Sequence, residues 1–173
     1  MEVDQKSAVD VKIKLLKPTD YHRFARLRNN INWESKKLVA KGGERKETGL
    51  HIFARKLLSS RALNTLVAFD GREMVGYINI VFAKFSKLRG NAYITISVSS
   101  THQGLGIGKR LMLEAENFCR ENQIRRIELE VFGRNIKAIG LYKKLGYEIE
   151  GVKKKAVFDE GEFDDMIIMA KFI

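Results

Sequence analysis

The sequence is poor in residues that build covalent or metal-bound frameworks. Its 173 residues include a single cysteine, Cys119, and three histidines. One cysteine excludes an internal disulfide framework, and its place beside Phe118 on the apolar side of a predicted helix indicates a small core residue rather than a nucleophile. His22, His51 and His102 lack the paired spacing that zinc ligation needs. We therefore predict no metal site.

Long apolar runs are also missing. No stretch approaches the ~18 apolar residues of a membrane span, and the polar start of the chain has no signal-peptide h-region. With 45% hydrophobic and 31% charged residues, the composition is typical of a folded globular protein. We expect a cytoplasmic protein with no membrane partner, and the length fits one domain of roughly 100 to 200 residues.

Negative charge is the scarcer sign, which leaves a formal net charge of +11. The basic residues are scattered, and no single block resembles a basic tail, so most of them are expected on a solvated surface. A basic chain attracts nucleic acid, anionic membranes and phosphorylated small molecules alike. A basic nucleic-acid-binding module is therefore one alternative function, disfavoured because no zinc-finger spacing or aromatic strand motif is present.

The hydrophobic periodicity predicts an α/β protein with the element order β α α β β β α β α β β. Strands are expected over 11–16, 65–69, 74–82, 92–98 and 126–131, with two more around a turn at 159–162; helices are expected after Pro18, from Thr48 to about Ser60, over 106–122 and over 135–145, where Asn135 caps the start and Gly146 the end. A polar loop is expected over 32–48. This order predicts a central mixed sheet covered by helices.

One stretch, VSSTHQGLGIGKRL, places Gly104, Gly106 and Gly108 at alternate positions between a predicted strand and a helix. A P-loop would need a glycine where Gln103 stands, and a dinucleotide fingerprint would need one at Lys109, so both are excluded. Glycine tolerates positive φ and lets a ligand approach the main chain. Amides at a helix N-terminus favour an anion, so this loop is a candidate pyrophosphate cradle.

Two motifs at matching separation resemble the GNAT superfamily of N-acetyltransferases. The pattern Gln-x-x-Gly-x-Gly, formed by Gln103, Gly106 and Gly108, resembles its acyl-coenzyme A loop. The segment RNIKAIGLYKKLGYEIEG (134–151) is similar to its Asn-x-x-Ala-x-x-x-Tyr-x-x-x-Gly-Phe/Tyr motif. The hairpin around Asp70-Gly71 and the strand before the glycines also match that superfamily in order, so the resemblance covers about residues 64–151.

The resemblance implies a single GNAT-like domain over 1–173, with a mixed, mostly antiparallel sheet whose middle strands are splayed. In it, residues 10–62 would supply an N-terminal strand and acceptor-side helices, 63–151 the acetyl-CoA-binding core and 152–173 the C-terminal strands. The implied activity is transfer of the acetyl group of acetyl-CoA to a primary amine by direct attack in a ternary complex. The implied relatives are bacterial acetyltransferases of undetermined acceptor.

The resemblance also implies the site residues. Those expected to bind acetyl-CoA are Ser97, Val98, Gln103, Gly104, Leu105, Gly106, Ile107, Gly108, Lys109 and Asn135. Tyr142 matches the family's tyrosine near the coenzyme sulfur and would act as general acid, with an N–H near Val98 stabilising the oxyanion. The spacing of Tyr142 from Ala138 and Leu145 equally suits a core aromatic residue.

The general base is left open by the sequence. Many family members carry a glutamate on the strand before the loop, but AYITISV has no carboxylate. The candidates are Glu34 and Glu44 in the first loop, Asp164 and Asp165 in the last strand, or water. The missing glutamate keeps a catalytically inactive acyl-CoA sensor as an alternative. The acceptor is a small-molecule or peptide amine, and a homodimer is open.

Overall fold

The structure, a computed structural model, describes residues 10–34 and 63–173. The strands are β1 Lys12–Leu15, β2 Leu63–Asp70, β3 Glu73–Phe82, β4 Asn91–Val98, β5 Arg126–Phe132, β6 Glu148–Asp159 and β7 Glu162–Phe172. The helices are α1 Tyr21–Glu34, α2 Ile107–Glu121 and α3 Ile136–Lys144. The helix predicted from Thr48 and the candidate base Glu44 lie outside the described residues. Among the described helices, none combines the length and apolar character that crossing a bilayer demands.

The strands form one mixed sheet in the order β1-β2-β3-β4-β5-β7-β6. Strands β4 and β5 run parallel, whereas the pairs β1/β2, β5/β7 and β6/β7 are antiparallel. The predicted mixed, mostly antiparallel sheet is therefore confirmed. The parallel ladder joins only Asn91–Tyr93 to Arg126–Glu128, although both strands continue beyond it, as splayed middle strands require.

Two contact-rich units divide the described chain. Of the described residues, the first contains 10–34, 63–79 and 96–114, and the second contains 80–95 and 115–173. In the first unit, α1 presents an apolar face at helical spacing, and Phe24 meets Tyr77 of β3 edge to face with ring centroids 5.1 Å apart.

Helix α1 continues to Glu34, so the prediction that a loop starts at residue 32 was wrong. Of residues 32–34 only Trp33 is apolar, and it lies two residues after Ile31 instead of at the helical spacing of three or four, so the apolar period stops at Ile31.

Helix α2 buries residues at four-residue intervals, as its sequence predicts. Ile107, Leu111, Ala115 and Cys119 are all buried. Burial raises the pKa of the Cys119 thiol to about 12, with the charge of Glu116 adding to the effect. A neutral, enclosed thiol is a core side chain, which confirms the prediction for this cysteine.

In the second unit, α3 has the predicted ends. The Asn135 side chain accepts a hydrogen bond from the Ala138 N–H and caps the helix. Gly146 follows the last turn with a φ of +87°, and its N–H donates to Lys143 O while the Tyr147 N–H donates to Tyr142 O. This is a Schellman ending, for which glycine is favoured because the left-handed conformation crowds a Cβ.

Candidate active site

The glycine loop leads directly into α2 in a conformation that needs glycine. Gly104 has a φ of +81° and Gly106 a φ of +78°, values that L side chains rarely adopt. A Cβ built on either glycine would meet no heavy atom of the described residues within 4 Å. The backbone shape therefore selects glycine, and the space beside the loop is open to a ligand.

The start of α2 supplies donors beside this space. The first helical bond that is resolved there runs from the Arg110 N–H to Gly106 O at 3.1 Å, so the preceding amides lie in the turn that has no intrahelical acceptor. Ile107 is buried, with 1% of its surface exposed, and contributes its main chain rather than its side chain. Lys109 is exposed, whereas the Arg110 guanidinium donates to Val11 O at 2.5 Å.

The residues before the glycines are fixed to the neighbouring strands. The Ser99 N–H donates to Val75 O at 2.9 Å, and His102 Nε2 lies 3.5 Å from the Asp70 carboxylate. The Gln103 side-chain amide, predicted to bind the cofactor, donates to Val98 O at 3.1 Å. The Gln103 side chain thus ties the loop to the end of β4, and its main-chain N–H donates to Ser100 O at 3.4 Å.

Gly76 of β3 was missed by the sequence analysis. A Cβ there would lie 3.1 Å from Ser97 O and 3.2 Å from Val98 Cγ2, closer than such atoms normally pack. The end of β4, predicted to pair with the pantetheine arm, therefore rests directly on the Gly76 backbone. The available signal was a lone glycine inside a strand pattern, which indicates close approach of another backbone.

Tyr142 lies near the end of α3 in the second unit and is 6% exposed. Burial, and secondarily the phenol of Tyr93, raises the pKa of Tyr142 to about 12. Its ring lies 6.2 Å from that of Tyr147. Tyr142 therefore keeps its proton at neutral pH, as a general acid must, while being as enclosed as a core residue.

The two candidate bases on β7 are already engaged. The Asp164 carboxylate accepts hydrogen bonds from Arg134 Nε at 2.9 Å and from the Asp165 N–H at 2.9 Å. Asp165 Oδ1 accepts from the Lys155 N–H at 2.8 Å. Partial burial acts to raise the pKa of Asp164, but the hydrogen bonds from Arg134 outweigh it and hold the pKa below its ordinary value. Both features make Asp164 a poor proton acceptor.

The mixed α/β sheet with its flanking helices is shared with acetyltransferases of known structure. The structure of a GNAT-family acetyltransferase from Streptococcus pneumoniae matches with a TM-score of 0.85 and 28% identity over 95% of this chain and 100% of that one. A phosphinothricin acetyltransferase from Sinorhizobium meliloti, solved with acetyl-CoA, matches with a TM-score of 0.81 and 20% identity over 94% and 88% of the two chains. At that identity the second match shows the fold alone.

The model of the Acetyltransferase (GNAT) family matches residues 28–147. The L-amino acid N-acetyltransferase AaaT of Escherichia coli K12 is 35% identical over 123 residues, which is 70% of this chain and 75% of that protein. The chain belongs to the GNAT family of acetyltransferases. It is an acetyl-CoA-dependent acyltransferase, and the open space at the glycine loop fits the diphosphate of that donor.

Proposed function

We propose that this enzyme acetylates the α-amine of a free amino acid by direct attack on acetyl-CoA in a ternary complex. The observation that carries the transfer is the pair of left-handed glycines, Gly104 and Gly106, beside open space at the start of α2. The acceptor class is supported by the 35% identity to an L-amino acid N-acetyltransferase. A net charge of +11 also favours a carboxylate-bearing acceptor over a polycationic one.

In the first unit, the backbone N–H groups of residues 104–109 would hold the diphosphate. Amides at a helix N-terminus combine unpaired donors with partial positive charge, which suits a phosphate anion. Lys109 would add a full charge from the exposed side. Ser97 and Val98 would pair with the pantetheine amides through their main chain. Their position depends on Gly76, because a side chain there would push them away.

In the second unit, Tyr142 would protonate the departing thiolate of coenzyme A. Its phenol is protonated at neutral pH, as an ordinary tyrosine is, and the burial that raises its pKa to about 12 makes it a weaker acid. Its contribution would therefore come from its position, since a positioned acid typically contributes about 10²-fold or more in rate. Asn135 would contact acetyl-CoA while also capping α3. A main-chain N–H near Val98 would stabilise the oxyanion that forms on the acetyl carbonyl.

The amine must lose a proton before it attacks, and Asp164 is poorly suited to take it because Arg134 and Asp165 occupy its oxygens. Asp165 holds the Lys155 amide. The side chain of Glu34 and all of Glu44 lie outside the described residues. The proposal therefore takes water as the proton acceptor.

A panel of amines tests the acceptor through release of the coenzyme A thiol. We expect the greatest kcat/KM with free L-amino acids and weaker turnover with peptides that present the same N-terminal residue. Preference for peptides, aminoglycosides or polyamines would contradict the acceptor assignment. Binding of acetyl-CoA with no thiol release from any amine would indicate an acyl-CoA sensor and overturn the proposed transfer.

A further inference from the structure

The turn between β5 and α3 is held by the first part of β7. The Gly133 N–H donates to Asp165 O at 2.8 Å. Next along the chain, the Arg134 N–H and Nε both donate to Asp164 Oδ2, at 3.3 Å and 2.9 Å. One carboxylate therefore fixes both the main chain and the side chain of Arg134, the residue directly before the cap of α3.

The fit around this carboxylate is close. A Cβ on Gly133 would lie 3.0 Å from Asp164 Oδ1, tighter than nearly all real contacts of a Cβ. The other oxygen bond of Asp164 comes from the Asp165 N–H at 2.9 Å. The Asp164 side chain is 13% exposed, so we expect a change in its charge or shape to disturb residues 133–135.

We propose that Asp164 is a positioning residue for acetyl-CoA binding, acting through Arg134 on Asn135 at the start of α3. The inference rests on the proposed function because it takes Asn135 as part of the acetyl-CoA site. Asn135 receives its orientation from two sides: its N–H donates to Phe132 O at 2.9 Å, and its side chain accepts from the Ala138 N–H at 3.4 Å. The Asp164–Arg134 pair fixes the main chain at Arg134, directly before Asn135.

Charge supports this role over that of an ordinary surface ion pair. Asp164 Oδ2 accepts from both the main-chain N–H and the guanidinium Nε of Arg134. An ionised acceptor held by two donors of one residue is more directional than a single exposed ion pair. The lowered pKa of Asp164, caused by the Arg134 hydrogen bonds against the opposing effect of burial, keeps it ionised at neutral pH. Asp164, a candidate general base in the sequence analysis, is thus assigned a positioning role instead.

Asp165 provides a matched control beside it. Its carboxylate holds the Lys155 N–H, where β6 bulges and Lys155 has a φ of +52°. Asp164→Asn and Asp165→Asn remove the same charge from neighbouring positions of one strand, but only the first weakens the grip on Arg134. The Arg134→Gln variant breaks the same pair from the exposed side of the turn, where loss of folding is not expected.

Calorimetric titration with acetyl-CoA tests the inference, with thermal unfolding as a separate readout. We expect Asp164→Asn and Arg134→Gln each to raise the Kd for acetyl-CoA about tenfold, since misplacing a positioning group by about 1 Å costs up to about 100-fold. Asp165→Asn should bind like the wild type. The double variant Asp164→Asn/Arg134→Gln should bind no more weakly than either single one, because the two residues act as a unit.

A wild-type Kd in both Asp164→Asn and Arg134→Gln, with or without a lower melting temperature, would overturn the positioning role and leave the proposed function standing. Equal weakening by Asp165→Asn would also overturn it, since the effect would then be general to β7. If the wild type itself binds no acetyl-CoA, the proposed function fails and the inference fails with it.

Discussion

Tyr142 shows why residue type and spacing alone could not decide a role. Its helical spacing from Leu145 suited both a core aromatic and a catalytic acid, and the structure gives it features of both. It is buried like a core residue, yet the same burial raises its phenol pKa to about 12. Because the pKa is higher in the folded protein than in the unfolded chain, the protonated phenol's contribution to the free energy of unfolding is fully present below pH 10. It is lost as the pH rises through about 12.

Removing the Tyr142 hydroxyl tests whether this residue is the general acid. Tyr142→Phe keeps the ring and its packing, so we expect kcat to fall by about 100-fold while the Kd for acetyl-CoA stays within about twofold. Steady-state kinetics and calorimetry measure the two quantities. Tyr147→Phe is the control, since Tyr147 is also buried and its ring neighbours that of Tyr142; its kcat should match the wild type. Unchanged turnover in Tyr142→Phe would remove Tyr142 from the mechanism.

The positions of the helices and strands could be predicted from the sequence better than the contacts between them. Within residues 10–34 and 63–173, the order of strands and helices followed from the hydrophobic period. The ends of α3 followed from Asn135 and Gly146, because these signals are local. The bulge of β6 did not, because it depends on the Asp165 carboxylate meeting the Lys155 amide across the sheet. The parallel pairing of β4 with β5 likewise depends on tertiary order that no local pattern records.

The same distinction applies to the site. The glycine loop was predicted because positive φ demands glycine and leaves a visible sequence mark. Gly76 and Asp164 were not assigned their contacts, since one touches β4 and the other touches the β5–α3 turn. Both contacts join segments that are far apart in sequence.

Glycine-to-alanine changes separate backbone strain from ligand contact at the level of the loop. Gly161, in the turn between β6 and β7, has a φ of +84° and, like Gly106, no described atom within 4 Å of a built Cβ. Gly106→Ala and Gly161→Ala should each lower the free energy of unfolding by about 1 to 2 kcal/mol. Denaturant unfolding measures this. If only Gly106→Ala lowers the free energy of unfolding, the prediction that both glycines carry the same backbone strain is contradicted.

At the scale of the whole molecule, charge and family membership point to the same donor. The net charge of +11 suits an anionic co-substrate, and the family model spans residues 28–147. A nucleic-acid-binding role accounts for the net charge but does not explain the left-handed glycines at the start of α2. Acetyl-CoA explains both features, since it carries a diphosphate that needs close backbone approach.

Calorimetric titration of acetyl-CoA into the wild type, Gly106→Ala and Gly161→Ala is the most direct test of this account. If the main chain at the start of α2 holds the diphosphate, the wild type and Gly161→Ala will bind with the same Kd, and Gly106→Ala will bind at least about tenfold more weakly, a loss of about 1.4 kcal/mol. No heat from the wild type, or one Kd shared by all three proteins, would contradict it.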